Sequence, residues 1–434
     1  MKRIVWAWLA LSSLALGSLA LAQADAAVRP HYGGTLTVEL SSPWATPDPA
    51  SSALSIPVTE TLVRLNAHGA IEPLLGVFWQ HDADFKRWRF SLRPKVSFHD
   101  GEPLTGPSAA PSLLAALKKK YADVSIEAGG QAIVIQSHEP MPDLLTDLAA
   151  PGAAVFRTSE SDPLIGTGPF RVTGWEPGRR LVLSAFDDCW SARPYLDSVA
   201  IEFGFGHAHA DIFDIPAGPA RRFLPEGIAT WTSVPRTLVA ITASNAQPAL
   251  LEALALVIDR TPIVNVLAQR KGDAAFGLLP QWLTGYAFLF HSPLDAVRAR
   301  QIASRLRIGS MGLSYPGNDP FLRSVADRVA LNARDAGITI QPTQNPAANL
   351  RLVEWPLEST SAATELERIA ATLGAGRVDA RRPETSYEAE RSLLDRVIPI
   401  VHLRETYGIA PRVHIESAKS DTFALHLEDA WVQP

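Results

Sequence analysis

The chain of 434 residues holds a single cysteine, Cys189. One thiol excludes an intramolecular disulfide and any zinc or iron–sulfur site built from cysteines. Excess charge is missing too, since 40 Lys+Arg stand against 45 Asp+Glu for a net of −5. Such a balanced chain gains little from displacing counterions on phosphate, which argues against nucleic acid as a partner. Several enzyme signatures are also absent. No P-loop, G-x-S-x-G or H-E-x-x-H string occurs, and no nucleophile stands beside a base. Gly204-Phe-Gly206 lacks the third glycine and the helix of a dinucleotide fingerprint. The chain is therefore read as non-enzymatic, with no catalytic residue and no cofactor.

What is present suits a large folded protein. Hydrophobic residues make up 47% and charged residues 20%, enough for a core and too apolar for disorder. The length suggests two or three domains, and the 34 prolines cluster at segment boundaries. Met1, Lys2 and Arg3 precede an apolar run from Ile4 to Ala22, followed by A-x-A exits between Ala20 and Ala26. Basic start, apolar middle and small-residue exit predict a secretory signal peptide over residues 1–26, cleaved near Ala22–Ala26. The apolar run could also just span a bilayer as an anchor, but Ser12, Ser13, Gly17 and Ser18 weaken that reading. The expected location of the soluble product is the periplasm.

Gly33-Gly34 leads into an alternating strand at Thr35–Leu40. Further strands are expected at Trp88–Leu92, Val96–Phe98, after Gly166-Thr-Gly-Pro-Phe170, at Leu181–Leu183 and at Val199–Phe203. Pro107–Lys120 reads as a helix with a solvated Lys118-Lys119-Lys120 end, and Gly129-Gly130 as the turn of a hairpin. The second half alternates helix and strand. Thr261 with Pro262, and Ser292 with Asp295, look like helix starts, and Gly337 stops a helix from Phe321 to Ala336. Strands are expected at Met311–Tyr315, Ile338–Gln341, Leu350–Glu354, Pro399–Leu403 and Thr422–Leu427. This pattern predicts an α/β (mixed α+β) protein with a sheet-rich first half and a mostly parallel, helix-covered second half. Ligands of open α/β sheets sit beyond strand carboxyl ends, which here carry Tyr315 and Trp355.

Gly33-Gly34-Thr-Leu, Pro47-Asp48-Pro49, Glu60-Thr-Leu-Val-Arg-Leu65, Phe98-His-Asp-Gly101, Gly166-Thr-Gly-Pro-Phe170 and Ala253–Arg260 follow one another in a telling order. In that order the sequence resembles the family 5 extracellular solute-binding proteins, the peptide- and nickel-type receptors of ABC importers. The resemblance implies a two-lobed, type II periplasmic-binding-protein clamp. Lobe one would span residues 31–244, rejoined by 401–434, with a reduced extra subdomain at about 50–162; lobe two would hold 245–400. It also implies a monomer that captures a peptide or similar small polar solute by hinge closure and hands it to permease subunits.

Candidate ligand residues follow from the same likeness. Trp355-Pro356-Leu357-Glu358 stands where peptide-binding members carry Trp-x-Ala-Asp, so Glu358 would meet a ligand amine beside Trp355. A solvated loop glutamate is the plainer alternative for Glu358. Ser41, Ser42 and Trp44 follow the first strand, where family members line the ligand, and Trp44 also suits core packing. Asn245 would begin lobe two at the cleft, or simply precede Pro248 in a turn; His402 would face the cleft, or serve as a structural histidine. His207-Ala-His209-Ala-Asp211 could chelate a metal through alternate side chains on a strand, although no further ligands cluster with it, and no metal is assigned. A secreted hydrolase using His207, His209 and Asp211, and a sensor-type binding protein serving a signalling partner, are the competing functions.

Overall fold

The computed structural model describes residues 29–44, 53–66, 70–159, 164–204, 210–218, 224, 226–243, 247–306, 309–317, 319–376, 378–380, 382–419 and 423–433. The expected signal segment, His207, His209 and Asn245 lie outside them. No helix among the described residues is long and apolar enough to cross a membrane.

Two long strands run through the middle of the molecule. Ala229–Ala243 pairs antiparallel with Val397–Ile409 from Ala229 opposite Ile409 to Thr242 opposite Val397. Both belong to an 11-stranded mixed sheet. On one side the sheet continues through Ile212–Asp214, Thr35–Leu40, Ser198–Phe203, Arg180–Ala185 and Phe170–Glu176. On the other it continues through Leu350–Pro356, Met311–Ser314 and Ile340–Thr343. These two flanks are the sheets of two lobes, and the long strands join them. The expectation of a mostly parallel second half needs correcting. Met311–Ser314 is parallel to both of its neighbours, but Leu350–Pro356 runs antiparallel to Ala229–Ala243.

Alternation along each strand builds the cores. Leu36, Val38 and Leu40 point inward and join Leu181, Val199, Ile201 and Ile212 in lobe one. Lobe two packs Leu322, Val325 and Val329 of the helix Pro320–Ala333 on one sheet face, and Leu366 and Ile369 of the helix Ala362–Thr372 on the other. Pro320–Ala333 starts where Asp319 accepts the amides of Phe321 and Leu322 at 2.8 and 2.9 Å, and the chain turns away at Gly337, with φ of 75°. A third core lies outside the large sheet. There a four-stranded antiparallel sheet and the helix Gly106–Leu117 enclose Trp88, Phe90, Leu113 and Ile133.

Three local expectations shift. Val96–Phe98 forms only a bridge, Ser97 to Pro103, and no strand. Asp259, whose carboxylate reaches Thr261 N at 3.0 Å, caps the helix in place of Thr261. Asp295 itself caps Ala296–Arg305 by accepting Arg298 N at 2.8 Å, so it is the cap and not the partner of Ser292. In both cases a carboxylate is the stronger acceptor for the free amides of a first turn.

Arg260 is the largest polar commitment of lobe two. It is 6% exposed, donates to Ala275 O at 2.7 Å and Pro399 O at 2.8 Å, and lies 4.6 Å from the ring centre of Phe276. Burial pushes its pKa down to about 10, still well above neutrality. The guanidinium thus stitches the helix start to one of the two central strands. Arg260→Met strands these carbonyls without donors, so the expected loss is about 3 kcal/mol or more, seen as a lower denaturant midpoint. An unfolding free energy within about 0.5 kcal/mol of wild type, roughly the neutral range of surface changes, contradicts this role.

Candidate functional site: the cleft between the lobes

A cavity of about 1000 Å³ opens where the two flanks of the large sheet part, and residues from both lobes and from a central strand line it. Lobe one supplies the wall around Pro57, Val58 and Glu60. Gly166 and Gly168 bring the backbone there close to the 57–58 segment: a Cβ on Gly166 would meet Val58 O at 1.9 Å, and one on Gly168 would meet Pro57 O at 2.2 Å. Only glycine permits that approach. His99 fastens the same turn, accepting Gly166 N–H at Nδ1 (3.2 Å) and donating from Nε2 to Gly168 O (2.9 Å). Thr167 Oγ1 and Trp190 Nε1 then both donate to Glu60 Oε2, at 2.8 and 2.9 Å. Glu60 is 9% exposed, and burial raises its pKa although Trp190, Thr167 and Arg93 pull the other way.

The central strand brings Arg236, 2% exposed, to the floor. Pro235 cannot donate to the ladder, and the register slips on both sides of it. Arg236 uses this break. Its guanidinium donates to Phe423 O (2.9 Å) and Leu357 O (3.3 Å), pairs with Glu405 (3.3 Å), and lies 4.7 Å from the ring centre of Phe423. One side chain therefore ties the second central strand, the lobe-two segment after Trp355 and the C-terminal tail.

Lobe two forms the facing wall with Trp282 and Glu358. Trp282 donates to Pro235 O at 2.7 Å. Behind it the Leu278–Leu279 turn is held from two directions. Glu390 Oε1 accepts both amides at 2.5 and 3.1 Å, and His402 Nε2 donates to Leu278 O at 3.0 Å. The Glu358 side chain is exposed, and its own N–H and that of Ser359 are held by the buried carboxylate of Glu365 at 2.9 and 2.7 Å. At the edge, Lys120 Nζ bridges Asp147 of the third core (2.8 Å) and Glu367 of lobe two (2.6 Å). Lys120 is thus no solvated helix end. Burial disfavours its ammonium, yet the two carboxylates outweigh that and raise its pKa.

Of the residues singled out from the sequence, Glu358 lines the cavity. Trp355 does not; it sits 9% exposed in the core with Leu238, Leu357 and Leu366, because its strand position points it inward. His402 is 4% exposed and faces a second cavity of about 480 Å³ within lobe two. Ser41 donates N–H and hydroxyl to Asp214, Ser42 is exposed, and Trp44 packs edge-on against Phe203 at 5.5 Å; none of them lines the cleft. Tyr315 packs on the lobe-two core. Asp211 of the proposed metal string is occupied. It accepts Thr37 N and Oγ1 at 2.9 and 2.8 Å and pairs with Arg412 at 2.6 Å. Arg236, Trp190, Trp282 and Glu428 also line the cavity, and of these only Arg236, a lone charge in the largely apolar segment Val234–Ile241, carries a signal in the sequence.

Two lobes around a solute-sized cavity make a two-lobed clamp. Residues 70–210 match the family model "Bacterial extracellular solute-binding proteins, family 5 Middle". The nickel-binding protein NikA of Staphylococcus aureus is 29% identical over 180 residues, covering 38% of this chain and 36% of that protein. The match thus spans about a third of that relative's length. The probable D,D-dipeptide-binding periplasmic protein DdpA of Escherichia coli is 23% identical over 354 residues, 71% of this chain and 69% of its own. The structure of DppA from Helicobacter pylori, in complex with peptide STSA, superposes with a TM-score of 0.74 at 14% identity, covering 93% of this chain and 99% of that one.

The hold of His402 on the Leu278–Leu279 turn is expected to weaken in acid. Burial lowers the pKa of His402 from 6.5 to about 4, so the unfolded chain takes up this proton first as pH falls. The stabilisation is complete above pH 6.5 and lost progressively toward pH 4, by about 3 kcal/mol in total. The difference in unfolding free energy between wild type and His402→Gln, measured by denaturant titration across that window, is expected to shrink on acidification. A difference that stays constant with pH contradicts the assignment.

Proposed function

We propose that this protein is the exported, periplasmic substrate-binding component of an ABC importer. It acts as a monomer that captures a peptide or similar small polar solute between its lobes and delivers it to the membrane permease. In this reading residues 31–244 and 401–434 form lobe one and 245–400 form lobe two. The observation that carries the reading is the cavity of about 1000 Å³ walled by both lobes with a central strand at its floor. That volume is at the upper end of the range that encloses small organic ligands.

Closure follows from shared contacts. A solute touching Glu60 on one side and Glu358 on the other makes all its contacts only when the lobes are close. It therefore binds the closed form better and shifts the population toward it. The Lys120–Glu367 pair reinforces that same form, by the modest amount expected of a partly exposed ion pair. The relatives include a probable D,D-dipeptide-binding and a nickel-binding protein. An organic solute is favoured here by the aromatic and carboxylate walls, Trp190 and Trp282 beside Glu60 and Glu358. Asp211, the described member of the candidate metal string, is committed to Arg412 and Thr37.

Glu358 is assigned to the amine of the solute. Calorimetry with short peptides should show binding that Glu358→Gln weakens about tenfold or more, the scale of a lost charge-assisted hydrogen bond. N-acetylated peptides should be bound weakly by both proteins. Equal affinity of wild type and variant for free-amine peptides, or no binding by any peptide, counts against the proposal.

A further inference from the structure

The second cavity, of about 480 Å³, lies within lobe two and shares none of its lining with the cleft. The two sit back to back: the short helix Gln281–Thr284 gives Trp282 to the cleft and Gln281 to the second cavity. That volume falls within the range that encloses small organic ligands. Its walls are mainly apolar and aromatic. Phe276 and Phe288 line it, and Phe288 stays 66% exposed. His291 completes the aromatic lining, with its ring centre 4.5 Å from that of Phe276. An aromatic ring left in water beside a cavity gains when a ligand covers it.

The polar side chains of this lining are engaged or open to water, except at His402. Gln281 donates to Gly285 O at 2.6 Å and accepts the Phe288 N–H at 3.0 Å. Asp273 accepts Arg404 Nη2 at 2.9 Å, and His291 is exposed. His402 stands directly opposite Asp273 in the antiparallel pairing of Gly272–Ala274 with the central strand, and opposite residues share a sheet face. It is 4% exposed, and burial keeps its ring neutral. Because Nε2 donates to Leu278 O, Nδ1 is the lone-pair nitrogen. Among the described residues nothing donates to Nδ1, and packing does not seal this atom, so it opens on the cavity that His402 lines. A buried acceptor without a donor is costly, and a ligand's N–H or O–H removes that cost.

We propose that this lobe-two cavity is a second ligand site, for an uncharged planar aromatic molecule that donates one hydrogen bond to His402 Nδ1. An indole or a phenol has that chemistry. A cationic ligand is disfavoured because the Asp273 carboxylate is already paired with Arg404. An anion is disfavoured because the open nitrogen of His402 is an acceptor and offers it no proton. The proposal is independent of which solute occupies the cleft.

Titration of the purified protein with indole and with N-methylindole, followed by ligand-observed NMR, tests this. N-methylindole keeps both rings and lacks the donor. Indole is expected to bind about fivefold more tightly, the scale of one hydrogen bond. In His402→Leu the two probes should bind alike, because the acceptor is gone. Ala274 is an exposed residue of the lining, and in Ala274→Trp the added ring takes up cavity space. Both probes should then bind about tenfold more weakly or worse. Thermal scans check that the variants fold; should His402→Leu not fold, the wild-type ratio and Ala274→Trp decide. The site is overturned if indole does not bind, if wild type holds both probes equally, or if the preference for indole survives His402→Leu. Binding that is unchanged in Ala274→Trp places the probes elsewhere and overturns it as well.

Discussion

The antiparallel pairing of Ala229–Ala243 with Val397–Ile409 is the constraint on which the rest of the molecule depends. These two strands are the shared axis of both lobes, and the cavity exists because the sheets diverge from them. A regular ladder would be stiff throughout. Pro235 interrupts it, and the ladder is repaired by side chains: Ser233 Oγ accepts Glu405 N–H at 2.9 Å, and Arg236 reaches three carbonyl or carboxylate partners. A bulged, side-chain-mended segment of this kind is where a small change of backbone angle costs least. This segment lies at the cavity floor.

Much of the fold was legible because local rules and tertiary packing agree. The strands at Thr35–Leu40 and Ser198–Phe203, the hairpin around Gly129-Gly130, and the helix ended by Gly337 were all readable from period and turn chemistry. The family likeness has physical causes that the structure makes visible. Gly166 and Gly168 are needed for backbone contact with residues 57–58, His99 pins that turn, and Arg260 holds Ala275 and Pro399. What the sequence hid were long-range choices. The direction of Leu350–Pro356 depends on which strand it pairs with, and no local pattern specifies that.

The site was less legible for a related reason. Strand side chains alternate, so near the end of one strand a core residue and a cleft residue stand close together. Trp355 turns into the core and Glu358, just past the strand, reaches the cavity. His402 looked like a ligand residue because it lies on a central strand, yet it braces the Leu278–Leu279 turn that backs Trp282. The carboxylates Glu60 and Glu428 come from opposite ends of the chain, and only the fold brings them to one wall. Asp211 went the other way: its apparent metal character dissolves into an ion pair with Arg412.

Relative motion of the lobes about the central strands is the core of this account. Spin labels on Lys118→Cys and Ala371→Cys, both exposed positions flanking the Lys120–Glu367 contact, report it directly in a Cys189→Ser background. Pulsed dipolar spectroscopy should give a broad, longer distance distribution in the free protein and a shorter, narrow one once a solute is bound. An identical distribution in both states would contradict the account.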